Sequence, residues 1–146
     1  MKKALLSLAA ACALLATSAT ASAASPAAYR AKVNGICKAG VAKINAVPAP
    51  KSPKDYEHYF QTEGTLSYQL LKQVVGVTPP KSLQPLVLGA VKLQGKLVDG
   101  VLAIAAQIRK GADPGKAYHA AEPGLTKLGH QVDAAWRRAG LNACAG

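Results

Sequence analysis

Apolar positions recur every three or four residues in four successive stretches, the spacing of helices that each bury one stripe. In the first, Tyr29, Val33, Ile36, Gly40, Ile44 and Val47 mark the stripe. Ser25-Pro26 opens it, a capping hydroxyl followed by proline in the first turn, and Pro48-Ala49-Pro50 ends it. Ser52-Pro53 repeats the opening for the second stretch, where Asp55 faces the positive end of the helix dipole. Tyr56, Tyr59, Phe60, Glu63, Leu66, Leu70, Val74 and Val77 follow, with Glu63 and Gly64 as weak points, and Thr78-Pro79-Pro80 terminates the run.

The third stretch runs from Ser82 to Lys110, with Pro85 in its first turn. Leu83, Val87, Val91, Leu97, Val101, Ile104 and Ile108 form its stripe, and Leu86, Leu93 and Leu102 widen it. A helix apolar on so many sides belongs at the centre of a bundle or in a contact between molecules. Asp113-Pro114 opens the fourth, in which Tyr118, Ala121, Leu125, Leu128, Val132, Trp136 and Ala139 face inward. Pro123-Gly124 predicts a kink or a break, and Gly140-Leu141 a helix C-cap with its hydrophobic contact. Short connections between long helices favour antiparallel neighbours. The expected fold is therefore all-α, an up-down-up-down four-helix bundle.

Residues 1–23 read as a cleaved signal peptide, leaving residues 24–146 as one helical domain. Lys2 and Lys3 precede an apolar run from Ala4 to Ala16, and Ala21-Ser22-Ala23 supplies the small residues of a cleavage site. Cys12 would suit a lipidated rival, but Ala9-Ala10-Ala11 precedes it without the expected Leu. No later run is long and apolar enough to span a bilayer; the best, Val98 to Ile108, contains Asp99 and Gly100. These features place the protein outside the cytoplasm, where an even pair of cysteines is expected to bond. Cys37 and Cys144 are the pair that remains, and joining them requires the tail to fold back along the bundle.

The 146 residues carry 18 Lys plus Arg against 7 Asp plus Glu, a net charge of +11, and few aromatics. That composition excludes a disordered tail, a collagen-like repeat and a multidomain enzyme. The bases are scattered and fit no nucleic-acid motif, so the charge suggests attraction to anionic envelope polymers or phospholipid headgroups.

Cys37 in the first helix, Pro48-Ala49-Pro50, the Thr78-Pro79-Pro80 break and the terminal Gly140-Leu141-Asn142-Ala143-Cys144 together resemble a group of small exported, lipoprotein-like helical proteins of actinobacterial type. The resemblance spans most of the chain after residue 23. It implies the same fold and location, and it brings no functional residue with it.

Catalytic patterns are absent from the sequence. No Gly-x-Ser-x-Gly elbow surrounds a serine, and Ser67 is the one serine after residue 23 not assigned to a helix start. A di-iron bundle needs a carboxylate from each of two helices and Glu-x-x-His from the others, yet the first helix has no acid. Cys-x-x-Cys-His is missing as well. His119 and His130 lie about 16 Å apart along a continuous helix, too far to share one ion.

The expectation from sequence is thus an exported, non-catalytic binding module of the cell envelope. Its partner would be an envelope protein or an anionic envelope polymer, with no nucleic acid and no cofactor. Four of the seven aromatics, Tyr56, Tyr59, Phe60 and Tyr68, are expected to form one cluster on the second helix. Tyr56, Tyr59 and Phe60, with Lys54 as a cationic rim, are the candidate contact surface. The alternative is a carrier of haem, a metal or a small apolar molecule, with His58 or His119 as ligand. A hydrolase using Ser67 is the third reading.

Overall fold

A computed structural model of the protein describes residues 25–146. The expected signal peptide and Cys12 lie outside the described residues. The chain forms α1 (Pro26–Asn45), α2 (Asp55–Val75), α3 (Gln84–Arg109), α4 (Pro114–Arg138) and a short terminal 3-10 turn at Asn142–Cys144. Sequence neighbours run antiparallel, and α3 packs against both α2 and α4, which explains its wide apolar surface.

Small residues set the helix spacing. Gly40 on α1 receives Leu70, Gly64 on α2 receives Leu102, and Gly100 on α3 receives Leu125. Each leucine fills the volume a Cβ would need, so successive helices approach closely along one notch apiece. Gly64 is therefore a buried contact and not a weak point of the second stripe.

The helix starts divide into two kinds. Ser25 and Asp113 accept from the amides of Ala28 and Lys116 at 3.2 and 2.9 Å, as capping predicts. Ser52 and Ser82 are not caps. Asp55 instead reaches back, its Oδ2 accepting from the amides of Lys51 and Ser52 and from Ser52 Oγ. The resulting hydrogen bonds hold its carboxyl below the usual range. At α3 the Pro80 carbonyl accepts from Leu83 and Gln84, so Ser82 has no cap to make. α4 runs unbroken through Pro123, with Leu125 seated in the Gly100 notch just beyond it.

The tail does fold back. Gly140 adopts φ +74°, and the amides of Gly140 and Leu141 close on the carbonyls of Arg137 and Trp136. This turn sends Leu141 into the core, fully buried, and lays Asn142–Cys144 beside α1. Three α1 side chains spaced along one face then hold it. Arg30 Nε donates to the Ala139 carbonyl at 2.9 Å, and Asn34 bonds both the Gly140 carbonyl and the Ala143 amide. Cys37 is joined to Cys144 by a disulfide.

Candidate functional site

The Gly40–Leu70 notch fixes how far α1 reaches along α2. In that antiparallel register the end of α1, Asn45, lies level with the middle of α2. The first ten residues of α2, about 15 Å of helix, extend beyond it. The connecting segment therefore returns along α2 as a strap, its prolines unable to continue the helix.

Between strap and helix lies an open groove of about 470 Å³, walled by Val47, Pro48 and Pro50 on one side and His58, Tyr59 and Thr62 on the other. Lys43, Lys51 and Asp55 are its charged lining residues. Hydrogen bonds from Ser52 and Lys51 keep Asp55 ionised, and its charge offsets that of one lysine, so Lys43 and Lys51 leave the groove with a small positive excess.

Behind the groove Phe60 anchors an aromatic cluster. Its ring meets Tyr59 edge-on at 5.3 Å, stacks on Tyr118 at 5.9 Å and lies 6.1 Å from Tyr56. Phe60 is itself only 6 % exposed and packs with Ile104, Ala105 and Ala117. It supports the surface from beneath and is core, not contact. Tyr68 stands apart, exposed under Lys72; Tyr118 of α4 takes the place expected for it. Lys54 is exposed at the head of α2.

Two i, i+4 pairs polarise the cluster. Tyr59 Oη donates to Glu63 at 2.6 Å, and Tyr118 Oη to Glu122 at 3.5 Å. The Glu63 hydrogen bond, then burial, push the Tyr59 hydroxyl up to about 12. Burial, then the charge of Glu122, raise Tyr118. Both phenols thus remain protonated donors across the physiological range. Glu63, the odd acid in an apolar stripe, is there to receive one of them.

The histidines serve separate surfaces. His58 lines the groove, whereas His119 is exposed on α4 and pairs with Glu122 at 3.3 Å. Among the described residues no group of three His, Cys, Asp or Glu side chains is placed to hold a metal ion.

A second, partly open pocket of about 180 Å³ is lined by all four helices and the tail. Val41, Leu70, Leu97, Trp136 and the Cys37–Cys144 bond give it apolar walls, and Ser67, Gln94 and Asp133 add polar atoms. The Gln94 side-chain oxygen accepts from Trp136 Nε1. Neither His58 nor His119 lines this pocket, and no histidine stands beside Ser67 in its wall.

Several of these residues were missed in the sequence although a signal existed. Arg30, Asn34 and Cys37 share i, i+4, i+7 spacing, and Tyr59/Glu63 and Tyr118/Glu122 repeat one Tyr-x-x-x-Glu pattern. The strap had no signal beyond its prolines. In comparisons with known proteins, the chain matches no protein family, no curated protein and no solved structure.

Proposed function

We propose that the protein is an exported, non-catalytic binding module of the cell envelope, of the kind its sequence resembles, and that its ligand seats in the groove beneath the strap. The observation that carries this reading is the groove's composition. Proline, valine and tyrosine faces offer an apolar wall, while Lys43 and Lys51 together outweigh the Asp55 carboxylate and leave a positive excess. A ligand that joins an apolar or aromatic body to an anionic group would satisfy both. An acidic envelope partner presents that chemistry. The Cys37–Cys144 bond supports an oxidising compartment, and no described helix is long and apolar enough to cross a membrane. The phenols and carboxylates nearby are tied in pairs along their own helices, which suits a fixed surface more than proton transfer.

The test uses anilinonaphthalene sulfonate, an aromatic anion, followed by amide shift perturbation in the folded protein. Shifts are expected around Val47, Lys51 and Tyr59. Tyr59→Ala and Lys51→Glu should each weaken binding roughly tenfold, the loss of one well-placed contact. Unchanged binding in both variants, or a stability collapse in Tyr59→Ala without a binding defect, would show that this cluster is packing alone.

The partly open pocket among the four helices favours one further reading, a carrier of a small apolar molecule. Its volume is of the order that lets apolar cavities admit a benzene-sized guest. Protein recovered from an exporting host would then show extra mass in a native spectrum that is lost on denaturation. A bare polypeptide that also fails to bind benzene would remove this reading.

A further inference from the structure

The acids of this molecule gather at one pole. Asp55, Glu57, Glu63, Asp113 and Glu122, five of the seven, belong to the pole made by the starts of α2 and α4, where Lys43, Lys51, Lys54, Arg109, Lys110 and Lys116 offset them. The other pole is made by the α2–α3 connection, the start of α1 and the end of α4. From Gly64 to Val98 the chain has no acid and four lysines, Lys72, Lys81, Lys92 and Lys96. Arg137 and Arg138 join them from the last turn of α4. The acid nearest the chain end here, Asp133, accepts from the Gly146 amide at 3.0 Å.

The exposed apolar side chains gather at this same basic pole. Val75 is 58 % exposed, Leu88 56 % and Leu86 39 %. The Leu71–Gly95 approach fixes the register of the α2–α3 hairpin, and Val75 and Leu88 both lie between that contact and the turn. Leu86 borders a shallow groove with Leu93, Ala135 and Arg138. Lys72 lies over the exposed Tyr68 ring, 5.0 Å from its centre, keeping its charge at the edge of an apolar surface.

We propose that this pole docks on a membrane surface rich in anionic phospholipid. Val75 and Leu88 enter the headgroup layer, while Lys72 and Lys92, one turn from them on the same helices, and Lys81 in the turn hold lipid phosphates around them. Charge complementarity selects the occupant. A second copy would bring the same bases face to face. A hydrated anionic polymer would satisfy the lysines but leave Val75 and Leu88 in water. A lipid surface satisfies both sets, as it does for interfacial helices that pair basic and apolar residues.

The experiment is flotation of the disulfide-bonded protein, its N-terminus established by intact mass, with vesicles. Vesicles containing phosphatidylglycerol are compared with phosphatidylcholine alone, at low and high salt. Binding is expected only to the anionic vesicles and should weaken with salt. Lys81→Gln should cost roughly fivefold, the usual worth of one base at such a surface. Val75→Ser with Leu88→Ser should cost roughly tenfold or more, and both positions are exposed enough to leave the fold intact. Lys116→Gln at the opposite pole is the charge control and should have a much smaller effect. Absence of binding to anionic vesicles would overturn the proposal. So would equal losses from Lys116→Gln and Lys81→Gln, which would show attraction by net charge. Insensitivity to the Val75/Leu88 pair, with equal affinity for soluble polyphosphate, would assign the pole to polymers or acidic proteins.

Discussion

Opening the Cys37–Cys144 bond tests the clearest long-range claim of the structure. The bond joins residues 107 apart, and closing a loop of that length removes unfolded-chain entropy worth about 4–5 kcal/mol. For a domain of roughly 120 residues, the unfolding entropy near the midpoint is about 0.25 kcal/mol per kelvin, so the melting temperature should fall by about 15–20 °C. The loss should come from the unfolded state. Leu141 remains fully buried, and Arg30 and Asn34 still bond the tail backbone, so the native fold should survive reduction. The assay is thermal unfolding of oxidised protein, reduced protein and the Cys37→Ala/Cys144→Ala variant, with exchange of the Ala143 amide as a local reporter. Reduced protein keeps both sulfurs, whereas the alanine variant adds a cavity at buried Cys37 and should melt lower still. A fall below about 5 °C, with Ala143 still protected, would refute the loop-entropy reasoning. Loss of Ala143 protection in the folded reduced state would show that the bond, not Arg30 and Asn34, holds the tail.

The notches and the phenols give further expectations. Gly64→Ala places a Cβ against Leu102 and should cost about 1–3 kcal/mol in urea unfolding, through overpacking. Gly89→Ala meets nothing within 4 Å and should instead gain about 0.5–1 kcal/mol from helix propensity; equal effects from the two would contradict the notch reading. Because the folded state raises the Tyr59 pKa from 10.0 to about 12, the stability it contributes is complete below 10 and is lost as pH climbs through 12. Ultraviolet titration should therefore show Tyr59 ionising late, along with Tyr29 and Tyr118, and Glu63→Ala should return Tyr59 toward the ordinary range while Tyr29 stays shifted by burial. A Tyr59 titration unmoved by that change would mean burial, and not the Glu63 hydrogen bond, sets its value.

Helix identity was legible because each stretch has local grammar: periodic apolar residues, proline at the starts, glycine or proline at the ends. That grammar yields four helices, their antiparallel order and the fold-back of the tail, since Cys37 and Cys144 have no other way to meet. It fails where two local partners compete for the same backbone groups, and where the deciding partner lies far along the chain. Ser52 and Ser82 look like caps, but backbone carbonyls and Asp55 do that work once the turns close. Tyr68 looked like a neighbour of Tyr59 because it shares a helix, yet the aromatic that stacks on Phe60 comes from α4. Periodicity says which face of a helix is apolar and nothing about its axial offset from the next helix. The offset is set by which leucine enters which glycine, a fit between residues 30 or so apart. Because Gly40 takes Leu70, α1 stops halfway along α2, the strap must cover the rest, and the groove exists. The sequence by itself determined the helices, their order and the cross-link. Only packing, where steric fit between distant side chains selects one register among several, decided where the molecule is open.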